Sequence, residues 1–428
     1  MNYWYHYCAQ RRSDGDPVTR LLLLDNPPAQ LRYGDGVYLP DKRWVLFGDT
    51  AAMERALPVV GANQRQVKVQ IADIPIAKPL TPDTWPRTNR DLERLVRLRL
   101  PNHVSERFMK GRGKGNRPIH RLVILRAPEC SFGFLLPGGP ASPVRCGYSW
   151  KVQRVHQPLP LPVERLDVSW ICGRDQHPEI ATRQHQRVLV VGIGALGSFV
   201  VEHLVKAGVG HLTLVDSDSL SAANLGRHAL GANDLGRNKV EALASRVKET
   251  WPAASIVPAP LTLGSWLKKH SLADFDLLLD LTGEPNVRLH LERARQSTPC
   301  PLLIGWMEPF AAAAHACLLP AGQPWSQVPR DPLDTCMAIN WPADIMLREP
   351  GCSSQFQSYT HAAASHAVAM VSEAALDLLD GEVSAPLLRS LVRGRRFLEK
   401  VKPGLSYREW SVNAADNDST IWDRPWHA

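Results

Sequence analysis

The chain has 428 residues, of which 44% are hydrophobic and 21% are charged. This length is typical of two or three domains, and the composition is ordinary for a globular protein with a packed core. The formal net charge is +8, but no nucleic-acid-binding motif accompanies the basic residues. We therefore expect no nucleic-acid partner, whereas an acidic protein partner would suit the charge.

The eight cysteines are scattered, and no two of them form a Cys-x-x-Cys pair. This pattern predicts free thiols in a reducing compartment and argues against a four-cysteine zinc site. The first residues have no basic stretch followed by an apolar one, and the apolar stretch from Leu302 to Pro320 is interrupted by polar residues. We expect no signal peptide, no membrane span and a cytoplasmic location.

Residues 1–150 are predicted to form a smaller α+β domain. Apolar runs such as Leu122 to Leu125 alternate with proline and glycine turns, and Asp91 to Leu100 has the pattern of a short helix. The basic, glycine-rich run from Lys110 to Arg121 is interpreted as a solvated loop. No catalytic constellation is visible in this region. Residues 151–186, in which Leu159 to Pro162 is extended by its prolines, are predicted to be a connector.

Residues 187–385 have a different pattern, in which apolar strands alternate with amphipathic helices. Arg187 to Val191 and Leu212 to Val215 are typical of buried strands, and Asp234 is the predicted N-cap of a helix that follows. The alternation predicts an α/β, Rossmann-like fold with a mostly parallel sheet covered on both faces. Residues 386–428 are predicted to be a basic and then polar tail.

A glycine loop lies directly after the first of these strands. Gly192, Gly194 and Gly197 form a Gly-x-Gly-x-x-Gly pattern that opens a helix, as a nucleotide-binding loop requires. Glycines allow the backbone to approach a phosphate, and the helix N-terminus favours its negative charge. Asp216 ends the second strand about twenty residues on, with Asp218 beside it, and is the predicted ligand of a ribose hydroxyl.

Three polar residues then favour ATP over a nicotinamide cofactor. Asn224, Arg227 and Lys239 follow the acidic pair within one turn-and-helix unit. A dehydrogenase needs only the acid to hold ribose, whereas attack on an α-phosphate with loss of pyrophosphate needs cations at the triphosphate. Arg227 and Lys239 are therefore predicted to bind phosphate and to stabilise the transition state.

Val188 to Lys239, with its glycine loop, Asp-x-Asp, Asn-Leu-x-Arg and Gly-Arg-Asn-Lys segments in order, resembles the ThiF, MoeB and E1 superfamily. The resemblance extends more weakly to about residue 382. It implies an adenylyltransferase that depends on ATP and magnesium and is usually a homodimer. The magnesium-binding aspartate of the family lies in a Thr-Asp-Asn stretch that this chain lacks, which leaves Asp280 or Glu284 as the metal ligand.

The resemblance also implies an arginine upstream of the domain that reaches the nucleotide, often from the other subunit. Arg165 is favoured by spacing, and Arg174 matches bacterial relatives in its local sequence. The paired zinc-binding cysteines of ThiF and MoeB are absent, which points away from those sulfur-carrier enzymes.

The segment from Glu349 to Ser354 contains the predicted nucleophile, Cys352. In autophagy-type E1 enzymes and in E1-like proteins of antiphage-defence operons, a cysteine here accepts the modifier as a thioester. A long helical pattern follows, and a thiolate near a helix N-terminus has a lowered pKa. Cys300 and Cys317 are predicted to lie in the core, and Cys336 is the reserve nucleophile.

The sequence thus resembles most closely the bacterial E1-like enzymes of the antiphage-defence Bil type. Such an enzyme adenylates the C-terminus of a ubiquitin-like protein, captures it as a thioester and passes it to an E2-like enzyme. Two alternatives remain, an adenylyltransferase of sulfur carriers or peptides without a thioester step, and a nucleotide-binding scaffold without turnover. For residues 1–150, a degenerate adenylation-like domain, an E2-like domain and a recruitment module compete, and we favour a non-catalytic domain that binds a partner.

Overall fold

The computed structural model describes residues 2–11, 20–23, 30–38, 43–47, 66–111, 119–128, 130–136, 158–251, 253–326, 331–342, 345, 347–348, 355–356 and 359–426. The chain divides into two compact units, Met1–Pro178 and Glu179–Ala428. Each unit has its own hydrophobic core and is described by itself.

The first unit is a closed barrel covered by helices. Its helices are α1 (Asn2–Arg11), α2 (Asn89–Arg99), α3 (Asn102–Lys110) and α4 (Val168–Gly173), and its strands are β1 (Arg20–Leu23), β2 (Gln30–Tyr38), β3 (Arg43–Phe47), β4 (Gln66–Pro75), β5 (His120–Ala127), β6 (Cys130–Leu136) and β7 (Leu159–Arg165). The strand order around the barrel is β1-β3-β2-β4-β5-β6-β7. Alternate residues of β5 serve two cores, with Leu122 and Ile124 in one and Val123 and Leu125 in the other, as the two-residue period of a strand requires.

Three predictions for this region can be compared with the structure. The predicted helix is present as α2, because Thr88 and Asp91 form a reciprocal capping box at its start. Arg121 is not a solvated loop residue, since its guanidinium is largely buried and donates to the carbonyl of Met109 at 3.0 Å. The segment predicted as a connector contains β7, which pairs with β6 and β1, so the compact unit extends to Pro178 and not to residue 150.

The second unit contains an eight-stranded sheet. Its strands are β8 (Arg187–Val191), β9 (His211–Val215), β10 (Ser255–Ala259), β11 (Leu277–Asp280), β12 (Leu302–Met307), β13 (Ala313–Leu319), β17 (Leu387–Arg393) and β19 (Ser419–Pro425), and the short strands outside it are β14 (Ile339–Asn340), β15 (Leu347–Arg348), β16 (Gln355–Phe356) and β18 (Ser406–Tyr407). The order is β10-β9-β8-β11-β12-β13-β17-β19. The first five strands are parallel and the last three antiparallel, which confirms the predicted α/β fold.

Helices cover both faces of this sheet, as predicted. They are α5 (Pro178–Arg183), α6 (Gly197–Lys206), α7 (Lys239–Thr250), α8 (Leu263–Leu267), α9 (Pro285–Ser297), α10 (Leu333–Cys336), α11 (His361–Leu379) and α12 (Arg395–Val401). Helices α6, α7 and α11 bury their apolar faces in one core, and α8 and α9 pack on the other face. Among the described residues, α11 alone has the length and composition of a membrane span, and more than half of it is buried inside the unit, as in a core helix.

Two details of the second unit differ from the sequence prediction. Helix α7 is capped by Asn238, whose side chain accepts from the amide of Val240 at 3.0 Å, while Asp234 ends a short 3-10 helix before it. The region predicted as a tail from residue 386 supplies β17 and β19 to the large sheet. Its alternating apolar residues are therefore part of the core and not of a solvated extension.

Candidate nucleotide-binding site

The candidate site lies at one edge of the parallel part of the sheet. Strands β8, β9, β11 and β12 run in the same direction, so their carboxyl ends meet at this edge. The residues that follow these ends are Gly192, Asp216, Leu281 and Glu308. With Asp280, the last residue of β11, the edge therefore collects glycine and acidic residues from four separate parts of the sequence.

The three glycines of the loop have two different roles. Gly192 has a left-handed φ of 88°, and a methyl group there would lie 2.8 Å from the backbone nitrogen of Thr282. A methyl group on Gly197 would lie 2.0 Å from the carbonyl oxygen of Gly192. At Gly194 an added methyl group would have nothing within 4 Å. The first and third glycines thus close the loop, and Gly194 faces open space through which a ligand can approach the backbone.

Asp216, the predicted ligand of a ribose hydroxyl, is held in place by a hydrogen bond from the glycine loop. One of its oxygens accepts from the amide of Ile193 at 2.7 Å, and the other accepts from the amide of Asp218 at 2.8 Å. Each carboxylate oxygen has two acceptor positions, so the side chain is oriented and still has capacity for a ribose hydroxyl.

The predicted cations occupy different environments. Lys239 is almost completely buried at the start of α7, and its ammonium donates to Asp218 at 2.8 Å. Arg227 ends the 3-10 helix Ala222–Arg227 and is half-buried; within the described ranges, no carboxylate forms an ion pair with it. Asn224 caps the same 3-10 helix, because its side-chain oxygen accepts from the amide and the hydroxyl of Ser221.

His228 supports the glycine loop and was not identified from the sequence. Its Nδ1 accepts from the amide of Leu230 at 3.1 Å, so Nε2 carries the proton and donates to the carbonyl of Ile193 at 2.8 Å. Burial lowers the pKa of His228, which favours this neutral form. A single histidine after Arg227 has no pattern in the sequence that would reveal its buried contact with the loop.

Asp280, at the end of β11, is a buried carboxylate with one unsatisfied oxygen. Its Oδ1 accepts from the amide of Thr282 at 3.0 Å and from the hydroxyl at 2.6 Å, whereas Oδ2 is buried without a hydrogen-bond partner within the described part of the chain. Burial raises the pKa of Asp280, and the bonds from Thr282 oppose the shift. Glu284 is exposed at the start of α9. Among the residues that the structure describes, no three acidic, histidine or cysteine side chains cluster as metal ligands.

The two upstream arginines differ in how they are held. Arg165 is buried and forms ion pairs with Asp167 and Asp175. Arg174 lies over the ring of Trp170, 5.1 Å from its centroid, and has a left-handed φ of 53°. Both belong to the first unit. Arg165 therefore has its donors directed at carboxylates, while Arg174 is the more available of the two for a ligand.

The candidate nucleophile Cys352 and the rest of its segment, 349–354, lie outside the described residues. Cys336 is a poor reserve nucleophile, because it is buried and burial raises its pKa to about 11. Cys300 and Cys317 are buried in the core, as predicted, and burial raises the pKa of both thiols.

The beginning of α11 lies beside two elements of the candidate site. Burial raises the pKa of the Tyr359 phenol, and the positive charge of Arg227 opposes this shift. Two residues on, His361 stacks on Phe199 of α6 with the ring centroids 3.9 Å apart. The start of α11 is thus packed beside the glycine-loop helix and the 3-10 helix that ends in Arg227.

Residues 176–375 match the ThiF family, which confirms the resemblance seen in Val188 to Lys239. The chain is similar to the ATP-dependent ubiquitin transferase-like protein Cap2 of Pseudomonas aeruginosa, with 29% identity over 342 residues that cover 73% of this chain and 58% of the relative. It is also 36% identical over 120 residues to the molybdopterin-synthase adenylyltransferase of Salmonella typhimurium, which covers 28% of this chain and 48% of the relative. The chain thus spans only 58% and 48% of the lengths of these two relatives.

A solved structure of E. coli MccB with MccA-N7isoASN aligns with 57% of this chain and 66% of that chain, at 14% identity and a TM-score of 0.39.

Proposed function

We propose that this protein is an E1-like activating enzyme that uses ATP to adenylate the C-terminal carboxylate of a ubiquitin-like protein. The observation that supports this function is the single sheet edge at which the open Gly194, the oriented Asp216 and the cation Lys239 come together, with Arg227 next in sequence to His228, which holds the glycine loop. The name of the Cap2 relative, a ubiquitin transferase-like protein, supports the choice of a ubiquitin-like substrate.

The residues of this edge suit an attack on the α-phosphate of ATP. A carboxylate oxygen of the modifier would form a bond to the α-phosphorus while the bond to the bridging oxygen of pyrophosphate breaks. The negative charge that develops would be stabilised by Lys239 and Arg227, and the ion pair with Asp218 fixes Lys239 before the reaction begins. The products are an acyl-adenylate and pyrophosphate.

Magnesium would bind through Asp280 in this proposal. The buried Oδ2 atom, which has no partner among the described residues, is a hard oxygen ligand in need of a counter-charge, and Glu284 is the alternative or additional ligand. When bound, magnesium would neutralise charge on the phosphates of ATP.

Cys352 would then accept the acyl group. Its thiolate sulfur would form a bond to the acyl carbon as the carbon–oxygen bond to AMP breaks, and the thioester would pass to the cysteine of a separate E2-like enzyme.

Several further properties belong to the same proposal. The protein would act in the cytoplasm as a homodimer, without a nucleic-acid or membrane partner, in an antiphage-defence conjugation system. An upstream arginine of the other subunit would reach the nucleotide, and Arg174 is the better candidate because the donors of Arg165 are directed at two carboxylates. The barrel of the first unit would bind a protein partner without catalysing a step.

The experiment compares the natural chain, Cys352→Ala and the matched control Cys336→Ser. Each is incubated with ATP, magnesium and a ubiquitin-like protein encoded beside its gene, and then run on a non-reducing gel alongside an ATP–pyrophosphate exchange assay. We expect a thiol-sensitive adduct from the natural chain and from Cys336→Ser, and none from Cys352→Ala, while exchange persists in all three.

The other outcomes favour the alternatives. Exchange without an adduct in the natural chain would favour an adenylyltransferase of sulfur carriers or peptides, a class that the name of the Salmonella relative also supports. Absence of exchange with every ubiquitin-like protein tried would favour a nucleotide-binding scaffold.

A further inference from the structure

Helix α9 buries two arginines that differ in how completely their nitrogens are hydrogen-bonded. Arg288 and Arg295 are 2% and 5% exposed and lie two turns apart on the buried face of the helix. All three nitrogens of Arg295 donate to oxygens of the protein. In Arg288, Nε and Nη2 donate to Asp331 at 2.8 Å and 2.6 Å, whereas Nη1 is buried without a partner among the described residues. Arg288 is the arginine nearer the start of α9 and thus the carboxyl end of β11.

A second buried donor without a partner lies at the end of β12. Trp306 is almost completely buried, and its indole Nε1 has no hydrogen-bond partner within the described part of the chain. Asp280 pairs with Ile304 across β11 and β12, and Trp306 follows Ile304 by two residues, so both side chains leave the same face of the sheet. The neighbouring Trp325, with its ring 6.0 Å away, differs in that its indole nitrogen donates to Asp331 at 3.3 Å.

Contacts through Asp331 bring these donors into one region of the second unit. Asp331 accepts from Arg288 and from Trp325, and the Trp325 ring contacts that of Trp306. Burial raises the pKa of Asp280, and the positive charge of Arg288 is among the influences that oppose this shift. Three almost completely buried side chains, Asp280, Arg288 and Trp306, therefore lie around the ends of β11 and β12, each with one unsatisfied polar atom.

The order of the strands indicates which substrate would use this region. Strands β9, β8, β11 and β12 lie side by side and end in Asp216, the glycine loop, Asp280 and Trp306–Met307. The end of β11 adjoins the glycine loop, because a methyl group on Gly192 would meet Thr282. The proposed nucleotide covers the ends of β9 and β8. The substrate that attacks its α-phosphate then approaches over β11 and β12.

The charge of this region suits a ligand that is neutral where it meets the donors. Asp331 offsets the charge of Arg288 through two hydrogen bonds, and the indole of Trp306 is a neutral donor. A phosphate would gain little from such a pair, and the carboxyl group of Asp280 lies within electrostatic reach. Main-chain carbonyl oxygens, in contrast, accept from neutral N–H groups as they do in any strand. A buried donor without a partner is costly, which indicates that the missing acceptor arrives with a ligand.

We propose that Arg288 and Trp306 are specificity-determining residues that bind main-chain carbonyls in the extended C-terminal tail of the ubiquitin-like protein. Nη1 of Arg288 and Nε1 of Trp306 donate to the tail and hold its terminal carboxylate towards the α-phosphate. Neither residue takes part in the bonds that form and break. This inference rests on the proposed adenylation of a ubiquitin-like protein.

The test uses full-length variants that change one donor each. Trp306→Phe removes the N–H and keeps an aromatic ring, and Arg288→Lys removes Nη1 and keeps the charge. The matched control is Trp426→Phe, which removes an indole N–H that already donates to the carbonyl of Trp325 at 3.1 Å. ATP–pyrophosphate exchange is measured at varied concentrations of ATP and of the ubiquitin-like protein used above, and each protein is also unfolded thermally.

We expect Trp306→Phe and Arg288→Lys to raise the KM for the ubiquitin-like protein about five- to tenfold, as loss of one hydrogen bond does, and to leave the KM for ATP within about twofold. Trp306→Phe should not lower the midpoint of thermal unfolding, because the donor that it removes has no partner within the described part of the chain. Trp426→Phe should lower the midpoint by about 2–4 °C and change neither KM.

An unchanged KM for the ubiquitin-like protein in both variants would overturn the inference and leave the proposed function in place. A higher KM for ATP instead would make the region part of the phosphate site. If Trp306→Phe lowered the midpoint as much as Trp426→Phe does, its donor would be satisfied inside the protein, which also contradicts the inference. Should Arg288→Lys not fold, Trp306→Phe decides. A natural chain without any exchange would overturn the proposed function and the inference together.

Discussion

The ends of two neighbouring strands of the large sheet hold their buried carboxylates in opposite ways. At the end of β11, Oδ2 of Asp280 has no partner among the described residues, and in the glycine loop after β8 Gly194 faces open space. At the end of β12, Glu308 is satisfied by His315, which contacts Ser390 in turn, and by the chain around it. An unsatisfied buried polar group is costly and indicates a ligand, whereas a saturated network indicates a structural role. The comparison separates binding groups from supporting groups along one edge.

The largest expected effect comes from substitutions in the glycine loop, which test whether that loop binds a ligand. Gly197→Ala should displace the loop, because its methyl group would lie 2.0 Å from the carbonyl oxygen of Gly192. We expect loss of detectable ATP binding by calorimetry and a decrease of about 1–3 kcal/mol in the free energy of unfolding, typical of overpacking.

Gly194→Ala is the matched control for the loop. Its methyl group meets nothing within 4 Å, so thermal stability should be preserved while ATP binding is weakened. If both variants bound ATP as the natural chain does, the loop would not be the phosphate site.

Lys239→Met tests whether the buried cation serves the ligand. Its partner Asp218 is largely exposed, so the ion pair contributes little to stability, whereas loss of a fixed charge at the phosphates should lower pyrophosphate exchange about 100- to 1000-fold. Lys248→Met, at an exposed position on the same helix, is the control. Equal exchange rates in the two variants would place Lys239 among the structural residues.

Thiol labelling sharpens the comparison between Cys336 and Cys352. The pKa of Cys336 is raised from 9.0 to about 11 by burial, so at pH 8 its thiolate fraction should be about 100-fold below that of an ordinary thiol. Mass spectrometry after a short exposure of the folded protein to iodoacetamide should find Cys352 labelled before Cys336. The reverse order would restore Cys336 as a candidate nucleophile.

The smallest expected effect concerns His228 and pH. Its pKa in the folded protein lies below the ordinary 6.5, so between these two values the unfolded chain binds more protons than the folded one. Its contribution to stability is therefore complete above pH 6.5 and is lost as the pH falls below that value. Thermal unfolding of the natural chain and of His228→Gln between pH 5 and 8 should show a smaller decline in the variant; parallel declines would argue against a buried neutral His228.

The features that could be predicted from the sequence are those whose chemistry is local. The glycine spacing, the strand before it and Asp216 after it lie within about thirty residues, and the backbone geometry of such a loop permits few other residues. The alternation of strands and helices similarly predicted the parallel sheet. The choice of ATP and the segment around Cys352 stay predictions, the latter because it lies outside the described residues.

Only the tertiary structure decided the roles that depend on distant partners. Residues 386–428 looked like a tail because their sequence is basic and then polar, yet pairing with β13 and β17 makes them part of the sheet. Glu308 and His315 lay within an apolar stretch as apparent interruptions, and Ser390 and Ala338 complete their network from 75 and 30 residues away. Burial makes Cys336 a poor nucleophile, which its sequence did not reveal. Sequence patterns report the chemistry of neighbouring residues, whereas burial and hydrogen-bond partners are set by which segments the fold brings together.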